Sequence, residues 1–194
     1  MGKIKYNNKS SQSYKKIERT DKKDFKIQTR NIKRTINARK IKGYDNVYVS
    51  DDVIIKPKAL HEINKYNNGL VKQYGIKVAP DILIVASEEL NYNVNGIYLA
   101  DRNAVIYPSD VSKETQRHEM WHCKQADDYK AKYGEITRKN YFDYITSASL
   151  EAKRRLKKKE LTLEKIKIYG EYFERMYSAE RYDEIEAQFK AMEE

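Results

Sequence analysis

The sequence predicts an α+β domain, because patterns typical of strands come first along the chain and patterns typical of helices follow. Residues 81–86 contain a continuous apolar run, which indicates a buried strand. Residues 96–99 and 104–107 are two apolar segments on either side of a turn-forming Asp-Arg-Asn sequence, and they predict a β-hairpin. From Ser112 onward the apolar spacing is helical and no proline interrupts it, so we expect three or four helices there.

The segment before the buried strand predicts one short β element and one helix. Residues 46–55 alternate between apolar and polar side chains, which favours a short hairpin or a bent strand. Pro57 suits the first residue of a helix, and the apolar residues from Lys58 to Tyr74 share one helical face. Gly75 directly follows this face and predicts the end of the helix.

The charge of the chain is concentrated at its N-terminal end. Residues 1–42 hold 15 Lys or Arg against three acidic residues, a net +12, whereas the whole chain carries +10, so residues 43–194 sum to −2. The apolar residues of this segment are too widely spaced to indicate a core. We therefore predict a flexible basic arm over residues 1–42 and a folded domain over residues 43–194. Such an arm could bind a nucleic acid or another acidic partner.

Composition excludes two classes of protein. The chain has a single cysteine, Cys123, so a small secreted domain stabilised by disulfides is excluded. It contains neither the apolar stretch of a signal peptide nor an apolar run long enough to cross a membrane. These observations predict a protein located in the cytoplasm or associated with a virion.

The most informative motif is His118-Glu119-Met120-Trp121-His122, an HExxH sequence that holds two of the three histidines in the chain. On a helix, His118 and His122 lie one turn apart on the same face, where both imidazoles can bind one zinc ion. Glu119 is rotated by one position, which suits a general base acting on water. Two alternatives stay open: ordinary histidines on an amphipathic helix, or a site that retains the fold without the chemistry.

Around this motif the chain resembles the zincin metallopeptidases. The resemblance rests on residues 96–98, 103–107 and 115–122 and covers roughly residues 80–130. It implies a zincin-like α+β fold, in which a small mixed sheet places an edge strand over the active-site helix and a mostly helical half follows. It also implies that Ala104 to Tyr107 is that edge strand, to which a peptide substrate would pair through its main chain.

The resemblance leaves three acidic residues as candidates for the third zinc ligand. Metzincin-type sequences place this ligand ten residues after the first histidine, which is Asp128, but Gln125 stands where they have a helix-breaking glycine. Gluzincin-type sequences take a glutamate from a later helix, and residues 183–189 resemble their second motif. That resemblance implies Glu184 as the ligand, with Glu186 as its rival.

The same resemblance assigns roles to residues near Glu184. Ala187 would pack close to the HExxH helix, and Gln188 would be a polar partner of a metal ligand, although an aspartate is common at its position. For a group that polarises the substrate carbonyl, the candidates are Tyr177 and Tyr182, two of 17 tyrosines.

Two functions follow from these observations. The first is a zinc-dependent peptidase, with Zn2+ bound by His118, His122 and Glu184, with Glu119 as the general base, and with a peptide or protein as substrate. The second is a structural or nucleic-acid-associated protein of a phage or mobile element. In that alternative residues 1–42 bind the partner, and the zincin domain is accessory or degenerate.

Overall fold

The computed structural model of the chain describes residues 17–28, 33–90, 94–157, 166 and 168–193. Within these ranges the protein has a six-stranded mixed sheet and five helices, which confirms the predicted α+β class. The strands are β1 (Arg19–Gln28), β2 (Lys33–Ile41), β3 (Val47–Ser50), β4 (Asp81–Val85), β5 (Ile97–Leu99) and β6 (Ala104–Pro108). The helices are α1 (Pro57–Tyr74), α2 (Lys113–Tyr133), α3 (Tyr141–Lys157), α4 (Glu171–Ser178) and α5 (Tyr182–Met192). Among these helices, none combines the length and the apolar character that a membrane crossing requires.

The strands lie side by side in the order β1-β2-β3-β4-β6-β5. The pairs β3–β4 and β4–β6 are parallel. The pairs β1–β2, β2–β3 and β5–β6 are antiparallel. Strand β4 is buried on both faces, as its continuous apolar run predicts. Successive side chains of the central strands point to opposite faces of the sheet, so they contribute to two apolar clusters. The larger cluster includes residues of α1 and α2.

The hairpin of β5 and β6 forms as predicted, but the predicted edge strand was the wrong one of the two. Residues 104–107 lie in β6, which pairs with β4 on one side and with β5 on the other. Residues 97–99 in β5 form the edge of the sheet. The side chains from Ala104 to Tyr107 are at most 1% exposed, and a strand buried on both faces belongs in the interior of a sheet.

The basic N-terminal segment also differs from its prediction. Residues 19–28 and 33–41 are paired strands of the sheet, and they do not form a flexible arm. Their buried side chains join the apolar clusters on the two faces of the sheet; they are Phe25, Ile36, Ala38 and Ile41. The predicted boundary after residue 42 therefore falls within one continuous sheet. Residues 1–16 of the predicted arm lie outside the described residues.

Residues 46–55 supply only strand β3 and a following turn at Asp51 and Asp52, so the bent-strand alternative is the closer description.

Helix α1 begins at Pro57 and is capped by Gly75, whose φ of 64° lies in the left-handed region that glycine adopts readily.

Helix α2 carries the HExxH motif, and polar contacts at both ends and in the core fix its position. The Ser112 hydroxyl accepts a hydrogen bond from the backbone N–H of Thr115 at 3.0 Å and caps the N-terminus. At the C-terminus, the backbone N–H of Gly134 donates to the backbone oxygen of Lys130 at 3.0 Å. In the core, the Asn67 amide of α1 donates to Gln116 of α2 at 3.1 Å and accepts from the hydroxyl of Tyr107 in β6 at 3.1 Å. This buried bridge connects α1, α2 and the sheet.

Candidate metal centre

Helices α2 and α5 bring together the three predicted ligands. His118 and His122 lie one turn apart on α2, and their Nε2 atoms are 3.1 Å apart. Glu184 lies in the first turn of α5, and its Oε2 is 3.4 Å from Nε2 of His118 and 3.3 Å from Nε2 of His122. Among the described residues, this is the group of His, Cys, Asp and Glu side chains that could hold a metal ion.

The spacing of these three atoms fits a small metal ion. A tetrahedral ion bound at 2.0–2.1 Å needs ligand atoms roughly 3.3 Å apart. The three measured separations of 3.1, 3.3 and 3.4 Å match that requirement. Three ligands from the protein would leave a fourth position open, as in catalytic sites of this type. The geometry therefore accepts a metal without rearrangement of the helices.

Outer contacts turn both imidazoles toward this centre. Nδ1 of His118 lies 3.1 Å from Oε1 of Gln188, and Nδ1 of His122 lies 2.9 Å from Oε1 of Gln125. An amide oxygen only accepts hydrogen bonds, so each Nδ1 carries the proton. Nε2 of each ring is then the nitrogen that can bind a metal.

The two rival ligands face elsewhere. Glu186 also lies against α2, but it contacts Trp121 and Gln125 there and not the two histidines. The buried Glu186 carboxylate instead accepts hydrogen bonds from Arg155 at 2.5 and 2.6 Å. Asp128 accepts one from Lys124 at 2.6 Å, and its side chain is about half exposed.

Glu119 lines the cavity beside the three candidate ligands. Its side chain is buried and lines the same cavity as the two histidines. Burial raises the pKa of its carboxyl, while the neighbouring His118 and His122 charges and a backbone hydrogen bond from Tyr98 oppose that rise. A carboxylate with a raised pKa accepts a proton more readily than an ordinary one.

Glu184 and His122 stabilise the charged forms of each other's side chains. Burial would raise the pKa of Glu184, but His122, His118 and Arg181 outweigh it and hold that pKa well below its usual range. Burial would likewise lower the pKa of His122, but Glu184 raises it to about 10. The Glu184 carboxylate is therefore charged, and it faces the position that a metal cation would occupy.

The three ligands and Glu119 open onto a cavity of about 480 Å³. One wall comes from the segment that leads into edge strand β5 and from the strand itself, from Val94 to Tyr98. The opposite wall includes Tyr141, Tyr172 and Arg181 from the helical half. The cavity is therefore a cleft between the sheet edge and the helices, with the metal-binding group in its wall.

Sequence reasoning missed two residues of this wall. Arg181 donates to Oε1 of Glu184 at 2.6 Å, and Tyr172 donates to Oε2 of Glu184 at 3.3 Å. Arg181 lies three residues before Glu184, a helical spacing that could have indicated the contact, whereas nothing in the sequence distinguishes Tyr172 among 17 tyrosines. Tyr177 and Tyr182, the tyrosines predicted to polarise a carbonyl, pack against each other and do not line the cavity.

Comparisons with protein families, with curated proteins and with solved structures found no match to this chain.

Proposed function

We propose that this protein is a zinc-dependent peptidase with a zincin-like active site. The observation that carries the proposal is the convergence of His118, His122 and Glu184 to separations of 3.1–3.4 Å, with Glu119 at the same cavity. Two imidazole nitrogens and one carboxylate oxygen form a ligand set that zinc enzymes use. Among the described residues, the recorded polar contacts of both Nε2 atoms are with each other and with Glu184, the third proposed ligand, which supports a role as ligands.

Zinc bound at this centre would supply an acidified water molecule and a Lewis acid for the substrate carbonyl. The protein's own residues would do the rest. Glu119 accepts a proton as the water oxygen bonds to the carbonyl carbon. When the C–N bond breaks, Glu119 returns that proton to the leaving nitrogen, so the carboxylate is regenerated. Arg181 and the two glutamines hold the ligands in place throughout.

The cleft supports an extended peptide as substrate. Among the described strands only β6 pairs with β5, so the outer side of β5 is not covered by another strand. The backbone N–H of Tyr98 in this strand contacts the Glu119 carboxyl, and the strand therefore lies directly beside the proposed base. The strand borders the cavity that contains Glu119. A peptide paired with β5 would pass its scissile bond in front of the metal-binding group, since main-chain pairing fixes the path of the substrate.

The test is hydrolysis of a quenched-fluorescent peptide mixture by the zinc-loaded protein. Glu119→Gln should lower the rate by about 100-fold or more, because it removes the proton acceptor, and should leave the zinc content unchanged. Glu62→Gln is the control, since Glu62 is an exposed acid on α1 away from the cavity. Turnover retained in Glu119→Gln, or a zinc-loaded wild type that cleaves no peptide, would contradict the proposal.

A further inference from the structure

We propose that Gln125, held in place by Glu186, is a positioning residue that determines which nitrogen of His122 faces the metal. This inference rests on the proposed function, because it treats His122 as a zinc ligand. It gives a role to Glu186, the acid that competes with Glu184 in the sequence and that the structure places outside the ligand set.

Gln125 is buried, with 4% of its surface exposed, and both its amide nitrogen and its amide oxygen form hydrogen bonds. Its Nε2 donates to the backbone oxygen of Asp183 and to Oε2 of Glu186, both at 3.1 Å. Two acceptors on that side orient the NH2 group toward α5. The carbonyl oxygen must then point at Nδ1 of His122, which lies 2.9 Å away. A flipped amide would lose both of its donor contacts and place a donor against the ring.

Glu186 is itself fixed from two further directions. Arg155 of α3 donates two hydrogen bonds to its carboxylate, and the indole N–H of Trp121 donates to Oε2 at 3.0 Å. The result is a continuous chain of contacts from Arg155 through Glu186 and Gln125 to His122, which crosses three helices. Because Glu186 cannot rotate away from these partners, Gln125 has one favourable orientation.

The other histidine has a weaker version of the same arrangement. Gln188 accepts from His118 through its carbonyl oxygen and donates to Oε1 of Glu114 at 3.0 Å. Glu114 is exposed, however, so water can replace it as a partner of Gln188. Solvent has no such access to Gln125 and Glu186. We therefore expect the position of His122 to depend on its glutamine more strongly than that of His118 does.

The experiment compares Gln125→Leu with Gln116→Leu in the full-length protein. Gln116 is a matched control, because it is a buried glutamine of the same helix that bonds to Asn67 and not to a histidine. Zinc affinity is measured by competition with a chelator, and isotope-edited NMR detects the Nδ1–H protons of the histidine rings with and without zinc. Gln125→Leu should weaken zinc binding by about 10- to 100-fold and abolish the protected Nδ1–H signal of His122. The wild type and Gln116→Leu should keep both.

Glu186→Gln provides a second variant of unchanged size, should Gln125→Leu fail to fold. It should lower zinc affinity in the same direction but by less, because Gln125 keeps its contact with the backbone oxygen of Asp183. An unchanged Nδ1–H signal of His122 in Gln125→Leu, with unchanged affinity, would overturn the inference while leaving the peptidase proposal intact. A different outcome would contradict the proposed function and uphold the positioning contact. In it, the wild type binds no zinc but shows the protected Nδ1–H signal of His122, and Gln125→Leu alone loses that signal.

Discussion

Glu184 shows how a single side chain is selected as a ligand. Its Oε1 accepts from Arg181 at 2.6 Å, which leaves Oε2 directed at the two histidine nitrogens. The carboxylate is therefore oriented before a metal arrives. The sequence left three acids as candidates, and only Glu184 faces the two histidines. The Glu186 carboxylate is held by Arg155, Trp121 and Gln125, and that of Asp128 by Lys124.

Zinc affinity separates the three acids experimentally. Glu184→Ala should lower affinity by more than the roughly 10- to 100-fold that loss of an outer partner causes, since a ligand itself is removed. Glu186→Ala should have a smaller effect through Gln125, and Asp128→Ala, the matched control on α2, should have none. The measurement is chelator competition with each purified variant. If only Asp128→Ala loses the metal, the gluzincin-like assignment is wrong.

The sequence alone predicts that His118, His122 and Glu119 lie close together, because the HExxH spacing places them within one turn of a single helix. The remaining members of the site come from separate elements, and their contacts depend on how those elements pack. Tyr172 contacts Glu184 because α4 packs against α5, whereas Arg181 reaches Glu184 from three residues earlier in the chain. Local sequence patterns carry little information on such packing.

At the level of elements, the approach of the β5 edge to helix α2 brings the proposed base and the substrate path together. Gly96 lies directly before β5 and faces α2. A Cβ at this position would lie 2.8 Å from Cγ2 of Thr115 and 3.0 Å from Cγ of Glu119. Only a residue without a side chain permits this approach, so the glycine serves the contact between strand and helix.

Gly96→Ala should therefore disturb Glu119 while leaving the metal ligands alone. We expect hydrolysis to fall by about 10- to 100-fold, since sub-ångström displacement of a catalytic group is costly, with zinc affinity unchanged. Gly69→Ala is the control, because a Cβ at that helical position meets nothing within 4 Å. Both rates are measured with the same peptide. Equal activity of Gly96→Ala and the wild type would show that the close approach has no catalytic consequence.

The identity of the edge strand illustrates what local patterns leave open. The hairpin itself is predictable from two apolar segments and a turn, but either strand of a hairpin can be the outer one. The sequence of β6, Ala-Val-Ile-Tyr, is apolar throughout, and burial on both faces is typical of an interior strand. Strand β5, Ile-Tyr-Leu, is equally apolar, so this signal does not distinguish the inner strand of the hairpin from the outer one.

At the level of the whole molecule, the basic N-terminal residues 19–28 and 33–41 belong to the sheet. Several of their cations form ion pairs with acids of the fold, including Lys23 with Asp81 at 2.6 Å and Arg39 with Asp51 at 2.9 Å. The composition of this segment suggested disorder, yet residues 35–39 alternate polar and apolar side chains as a half-buried strand does. The prediction of a flexible arm rested on the high local charge and on the wide spacing of the apolar residues, and not on this alternation.

Ile36→Ala tests whether this hairpin belongs to the folded body. Ile36 is 2% exposed and packs in the cluster with Leu83 and Ile106. Its truncation should lower the free energy of unfolding by about 2–5 kcal/mol, as measured by chemical denaturation. Thr35→Ala, on the exposed face of the same strand, should cost less than about 1 kcal/mol. Equal stability of the two variants would indicate that strand β2 does not contribute to the core.

The central claim is that His118, His122 and Glu184 form one zinc site, and its most direct test is the zinc stoichiometry of the purified protein. We predict about one zinc ion per chain in the wild type, since the three ligand atoms already have the spacing of a tetrahedral site. His122→Ala should bring the zinc content to near zero, whereas His61→Ala, which changes the remaining histidine on α1, should leave it unchanged. A wild-type zinc content near zero, or a zinc content of His122→Ala equal to that of the wild type, would contradict the claim.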